Sequence, residues 1–167
     1  MSVLAPGSRV VIAGFGSEYR RDDGVGSIVA ASAASLRPST HEVGPLSDPL
    51  DLLGQWDGAA LVVVIDAVRS GAAPGTIRVI EMDVGGVAGS DDERNIESHE
   101  TSTHGIGLAG VLRLATALGR APARLVLVAI EGREFGFGQE LSAPVEAAVP
   151  EAVRRVVELI EEARTCA

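Results

Sequence analysis

Three apolar runs rich in β-branched residues limit the folds open to this chain more than any other feature: Arg9–Ala13 (RVVIA), Ala60–Ile65 (ALVVVI) and Arg124–Ile130 (RLVLVAI). Each has the length of a strand, is apolar at nearly every position, and stops at a glycine or an acid (Gly14, Asp66, Glu131). A strand that does not alternate is buried on both faces, which is the situation of a parallel sheet covered by helices. The stretches between them read as helices. One runs from about Asp23 to Leu36, ahead of Arg37-Pro38. A second, from about Gly105 to Leu118, carries apolar Ile106, Leu108, Val111, Leu112, Ala115 and Leu118. The last starts near Ser142 and runs to about Arg164, with Val145, Val149, Val153, Val156, Val157 and Ile160 on its apolar side. Pro150 is expected to kink or divide it near Val149.

Weaker signals fill the gaps. Thr40–Val43 reads as a brief strand and Thr76–Met82 as a second-rank one. Asp48–Trp56 reads as a short helix with Asp48 as N-cap and Pro49 at its first position. Strands alternating with helices mean βαβ units, so the expected fold is α/β: a three-layer α/β/α sandwich with a mainly parallel, about five-stranded twisted sheet. A single domain spanning residues 1–167 is expected. Strand order is not readable from the pattern.

Composition narrows the function classes. Hydrophobic residues make up 46% of the chain but aromatics only 3%, too few for a platform that stacks single-stranded bases. The net charge of −9 disfavours a nucleic-acid partner, since phosphates need basic surface. The lone cysteine, Cys166, cannot form an internal disulfide and reads as a tail residue, in keeping with a reducing compartment. Met1–Arg9 lacks the basic and apolar regions of a signal peptide, and no apolar run approaches the roughly 20 residues that span a bilayer. A cytoplasmic protein without membrane insertion is expected. The polar, glycine-rich Asp83–Thr103 segment carries four acids within Asp91–Glu97 and is expected to be a mobile acidic loop.

In parallel sheets, ligands gather at the carboxyl ends of the strands. The first such loop opens with Gly14-Phe15-Gly16 like a dinucleotide fingerprint, but no glycine follows three residues later. Asp22 and Asp23 would also place two carboxylates where a pyrophosphate should sit. One of the two is expected to cap the following helix; a second acid exceeds what capping needs. Asp66 ends an apolar run, a position equally compatible with a turn or cap and with function. Of the histidines, His41 is expected at the surface, and His99 lies in the acidic segment. His104 follows Ser102-Thr103 and opens a helix, whose N-terminus disfavours imidazolium and so favours the neutral, metal-binding ring. Asp23, Asp66 and His104 make a mixed oxygen and nitrogen donor set suited to a divalent transition metal. A serine-nucleophile reading is poorer, because Ser17 is not in a Gly-x-Ser-x-Gly elbow.

At these residues the chain resembles the hydrogenase maturation endopeptidases, which trim the large subunits of nickel–iron hydrogenases. The matching features are the first strand leading to Gly14-x-Gly16, then Asp22-Asp23-Gly24-Val25-Gly26, Ile65-Asp66-Ala67, and Ser102-Thr103-His104-Gly105-Ile106-Gly107-Leu108. Ile130-Glu131 follows, with Gly136, Gly138 and Leu141-Ser142 ahead of the last helix. Ser17, at a position usually asparagine, and the charged Glu18-Tyr19-Arg20-Arg21 depart from the pattern, as does the acidic Asp83–Thr103 region. The resemblance implies a peptidase that removes a C-terminal extension from a nickel-loaded large-subunit precursor. Asp23, Asp66 and His104 would be its metal-contacting and catalytic residues, and Asp22 a neighbouring acid with a structural part. It further implies nickel supplied by the substrate, no permanently bound cofactor, the precursor as partner and a monomeric enzyme. Two other readings use the same residues: a hydrolase with a resident divalent metal, and a non-catalytic α/β binding module.

Overall fold

The computed structural model describes residues 9–85 and 107–165. His99, His104, Cys166 and the acidic segment beyond Gly85 lie outside the described residues. Strands β1 (Val10–Phe15), β2 (His41–Leu46), β3 (Leu61–Val68), β4 (Ile77–Met82) and β5 (Leu125–Glu131) form one five-stranded sheet in the order β2-β1-β3-β5-β4. All pairings are parallel except β4 with β5. The short Arg69–Thr76 connection explains the exception, because a parallel return needs a crossover of about a dozen residues or more. The expected three-layer α/β/α architecture is present.

Alternation along the strands divides the core in two. Val10, Ile12, Val63, Ile65, Val128 and Ile130 face α1 (Val25–Leu36) and α3 (Ala143–Thr165). Val11, Ala13, Val62, Val64 and Leu127 face α2 (Leu108–Ala117), the 3₁₀ helix Pro49–Gly54 and the buried Trp56. Both faces of β1, β3 and β5 are covered, which is why their sequences do not alternate. Among the described residues, no helix is long and apolar enough to cross a membrane.

Four local expectations are revised. Asp66 does not close β3: the strand continues to Val68, pairing Asp66 with Ala129 and Val68 with Glu131. The second strand runs on to Leu46. The Asp48-capped segment is a 3₁₀ helix rather than an α-helix, although its Asp48 side chain accepts from Leu50 N at 2.9 Å as the cap reading requires. Pro150 does not divide α3. It lies on the exposed side, while buried Val145, Ala152, Val156 and Ile160 hold both halves against the sheet.

The connection through α1 carries the chain outward from β1 to β2, and the next returns it on the other face to β3. The switch point therefore lies between β1 and β3, the crevice where doubly wound sheets bind ligands. The first turn of α1 rests directly on the strand tips there. A Cβ on Gly26 would come within 2.4 Å of the Ile65 carbonyl oxygen and 2.7 Å of that of Phe15. Gly26→Ala is expected to lower unfolding free energy by about 1–3 kcal/mol in urea denaturation, as overpacking does. Gly54→Ala, with open space around the new methyl, should stay within about 0.5 kcal/mol of wild type.

Candidate active site

The two adjacent acids after β1 have different surroundings. The chain leaves β1 through Gly16, whose φ of +101° and contact with Asp23 (2.0 Å from a would-be Cβ to the Asp23 carbonyl oxygen) leave no room for a side chain. It then forms a 3₁₀ turn over Arg21–Gly24. Asp22 is fully buried, and its carboxylate accepts four hydrogen bonds. They come from Arg133 N (2.7 Å), Glu134 N (2.8 Å), Ser142 N (2.7 Å) and Ser142 Oγ (2.7 Å). Asp23 is only partly buried and accepts from Ser17 N at 2.8 Å. Neither acid caps α1; Gly24 holds that position without a side-chain cap. The capping expectation fails because Asp22 serves a distant loop and Asp23 an upstream amide.

Backbone bonds repeat the tie. Arg21 N donates to Gly138 O (2.8 Å), Asp22 N to Glu134 O (2.9 Å) and Gly138 N to Tyr19 O (3.0 Å), and the Arg21 guanidinium pairs with Glu134. The loop between β5 and α3 is thus fastened to the turn after β1, past the end of β3 that lies between those strands. Arg69, just beyond β3, lies over the Phe135 ring of the same loop at 4.2 Å.

Asp66 sits near the carboxyl end of β3, partly buried, on the face shared by Val62 and Val64 and covered by α2. The turn that carries Asp23 packs against β3. The third expected donor, His104, lies outside the described residues; α2, the helix after it in sequence, starts at Leu108 with Gly107 as cap. His41 opens β2 and is exposed, as expected. Among the described residues alone, no three His, Cys, Asp or Glu side chains form a group that could hold a metal.

Sequence reasoning assigned no role to Glu131. It is buried at the end of β5 and accepts from Ser70 N (2.8 Å), Ser70 Oγ (2.7 Å) and Gly71 N (3.0 Å), anchoring the connection that leaves β3. The signal was present, since Glu131 ends an apolar run as Asp66 ends another. Chemically the acids now divide. A carboxylate offers about four acceptor sites. Asp22 is closed off from solvent and accepts from four protein donors, three on one oxygen and one on the other, whereas Asp23 accepts from one among the described residues and keeps capacity for a cation or a water. Asp22→Asn replaces an acceptor with an amide N–H facing N–H groups, so a loss of about 3 kcal/mol or more is expected in chemical denaturation. Asp23→Asn should cost about 1 kcal/mol. Equal costs would contradict this division.

Comparison with known proteins gives the family. Residues 46–159 match the hydrogenase maturation protease family (HycI). The chain is 30% identical over 168 aligned residues to the hydrogenase expression/formation protein HupD of Rhizobium leguminosarum bv. viciae, covering 93% of this chain and 75% of that protein. The fold is similar to that of the hydrogenase maturating endopeptidase HybD from E. coli, with a TM-score of 0.77 at 22% identity over 92% of this chain and 93% of that one. It is also similar to the [NiFe] hydrogenase maturation protease HybD from Thermococcus kodakarensis, with a TM-score of 0.71 at 26% identity over 91% and 99% of the two chains. The chain belongs to the hydrogenase maturation protease family and is a peptide hydrolase of that family.

Proposed function

We propose that this chain removes a C-terminal extension from a nickel-loaded nickel–iron hydrogenase large-subunit precursor, and that Asp23, Asp66 and His104 supply its donors to the precursor's nickel. The observation that carries this reading is the difference between Asp22 and Asp23: one buried with four protein donors, the other partly exposed with acceptor capacity left. That free capacity lies at the switch point of the sheet, against the strand that bears Asp66. Two carboxylates and an imidazole suit a divalent transition metal.

In this reading nickel arrives with the substrate and the protein holds no permanent metal. Three donors leave coordination positions open for the precursor's own ligands. A loaded precursor then binds far better than an empty one, which makes cleavage conditional on metal insertion. Bound nickel polarises the scissile carbonyl or acidifies the attacking water, and a carboxylate oxygen not engaged with the metal accepts the water's proton. Gly16, Gly26 and the Asp22 clamp act earlier, fixing the backbone that presents Asp23 before the substrate arrives. The enzyme acts in the cytoplasm, as a monomer.

The test is incubation with nickel-loaded and nickel-free precursor, followed by mass measurement of the processed protein to locate its new C-terminus. Shortening of the loaded form only is expected. Asp23→Ala, Asp66→Ala and His104→Ala should each stay folded and lower processing about 100-fold or more, in line with the loss of a metal ligand. His99→Ala should process normally. Equal cleavage of both precursors would exclude nickel recognition. A stoichiometric metal in the purified protein would favour a resident-metal hydrolase instead.

A further inference from the structure

Only five aromatic residues occur in the chain, and two of them stand in solvent on adjoining segments beside the candidate site. Phe15 and Trp56 are buried, and Phe135 packs beneath Arg69. Phe137 is 96% exposed and Tyr19 58% exposed. Gly138 N donates to Tyr19 O, and Arg20 and Gly138 form a parallel bridge, so the two aromatic-bearing segments run side by side. Tyr19 lies four residues before Asp23.

Exposed aromatics on slack loops mean little, but these loops are not slack. The Phe137 loop is held at Arg133, Glu134 and Ser142 by the Asp22 carboxylate, at Gly138 by two backbone bonds, and at Phe135 by Arg69. Ser17 fixes the other segment, its hydroxyl accepting from Tyr19 N and its carbonyl from Arg20 N. An aromatic carried on backbone already held in place needs little further backbone ordering on binding and has only two side-chain torsions to fix, which is the character of an interface anchor. Further along the same loop an open groove of mixed character begins, with Leu141, Ile28, Val149 and Pro150 beside Gln139, Glu140 and Glu146.

We infer that Tyr19 and Phe137 form an aromatic docking surface for an apolar segment of the substrate protein flanking its cleavage site. The inference rests on the processing function proposed above. Its occupant follows from place: the patch adjoins the turn that bears Asp23, within reach of a polypeptide whose scissile bond is brought to that turn. Binding there anchors the precursor independently of its metal, leaving the three donors to test whether the metal is present.

The experiment measures processing of the nickel-loaded precursor by wild type and by the Tyr19→Ser/Phe137→Ser double variant. Both residues are exposed, so thermal stability should not change. KM is expected to rise about tenfold or more with kcat unchanged, as truncation of interface anchors gives. Phe137→Leu, which keeps apolar bulk, should recover most of the loss. An unchanged KM, or a fall in kcat alone, overturns the surface while leaving the proposed function intact. Sedimentation showing that wild type dimerises and the double variant does not would assign the patch to self-association instead. A wild-type protein inactive on the precursor removes the processing function and this surface together.

Discussion

The Asp22 carboxylate lies beneath two loops that leave different strands, and its hydrogen bonds fix how those loops meet. The turn after β1 and the loop after β5 have no covalent reason to approach, because β3 runs between their strands. Burying an isolated carboxylate costs several kcal/mol, a penalty offset here by four donors at 2.7–2.8 Å, three of them backbone amides that would otherwise be orphaned. The same tie sustains Arg21 at a φ of +51°, a conformation that costs a non-glycine residue about 1–3 kcal/mol unless its surroundings enforce it. Arg21 is enforced from both sides, by its own amide on Gly138 and by its guanidinium on Glu134.

With that frame fixed, adjacent residues of one chemical type take separate work. Asp22 holds the rim, and Asp23 stays partly exposed on it with its carboxylate on the Ser17 amide. Glu131 repeats the arrangement on the neighbouring side, binding the Ser70–Gly71 backbone while Asp66 stays near the mouth of β3. Close packing of α1 through Gly26 sets the height of this rim, because nothing larger than hydrogen fits over the Ile65 carbonyl. Positioning by buried carboxylates and bare backbone holds the turn that carries Asp23 in place, which is what the proposed recognition of a metal-loaded chain asks of it.

Much of the fold was legible because burial on both faces leaves a plain trace: β1, β3 and β5 each read as an unbroken apolar run. Strand order was not, since identical faces of Val and Ile carry no label for their neighbours. The 3₁₀ form of Pro49–Gly54 was hidden because a cap and a proline start either kind of helix. Pro150 misled by a local rule that packing on the sheet overrides. At the site, Asp23 and Asp66 stood out as acids beside apolar runs and glycines. The partner of Asp22 was invisible, as its donors lie more than a hundred residues away, and Glu131 was passed over although it shares the pattern of Asp66. The charged tip Glu18–Arg21 read as a departure from the family, and the structure shows it braced against the Phe137 loop.

The proposed selection of a metal-loaded precursor requires two carboxylates and one imidazole to serve a single ion. The most direct measurement is nitrogen NMR of imidazole-labelled protein titrated with cadmium, a diamagnetic stand-in for nickel. The His104 ring should shift with one equivalent while His41 and His99 do not move, and the shift should vanish in Asp23→Ala and Asp66→Ala. A His104 signal indifferent to the metal, or a shift that survives loss of either aspartate, would contradict it.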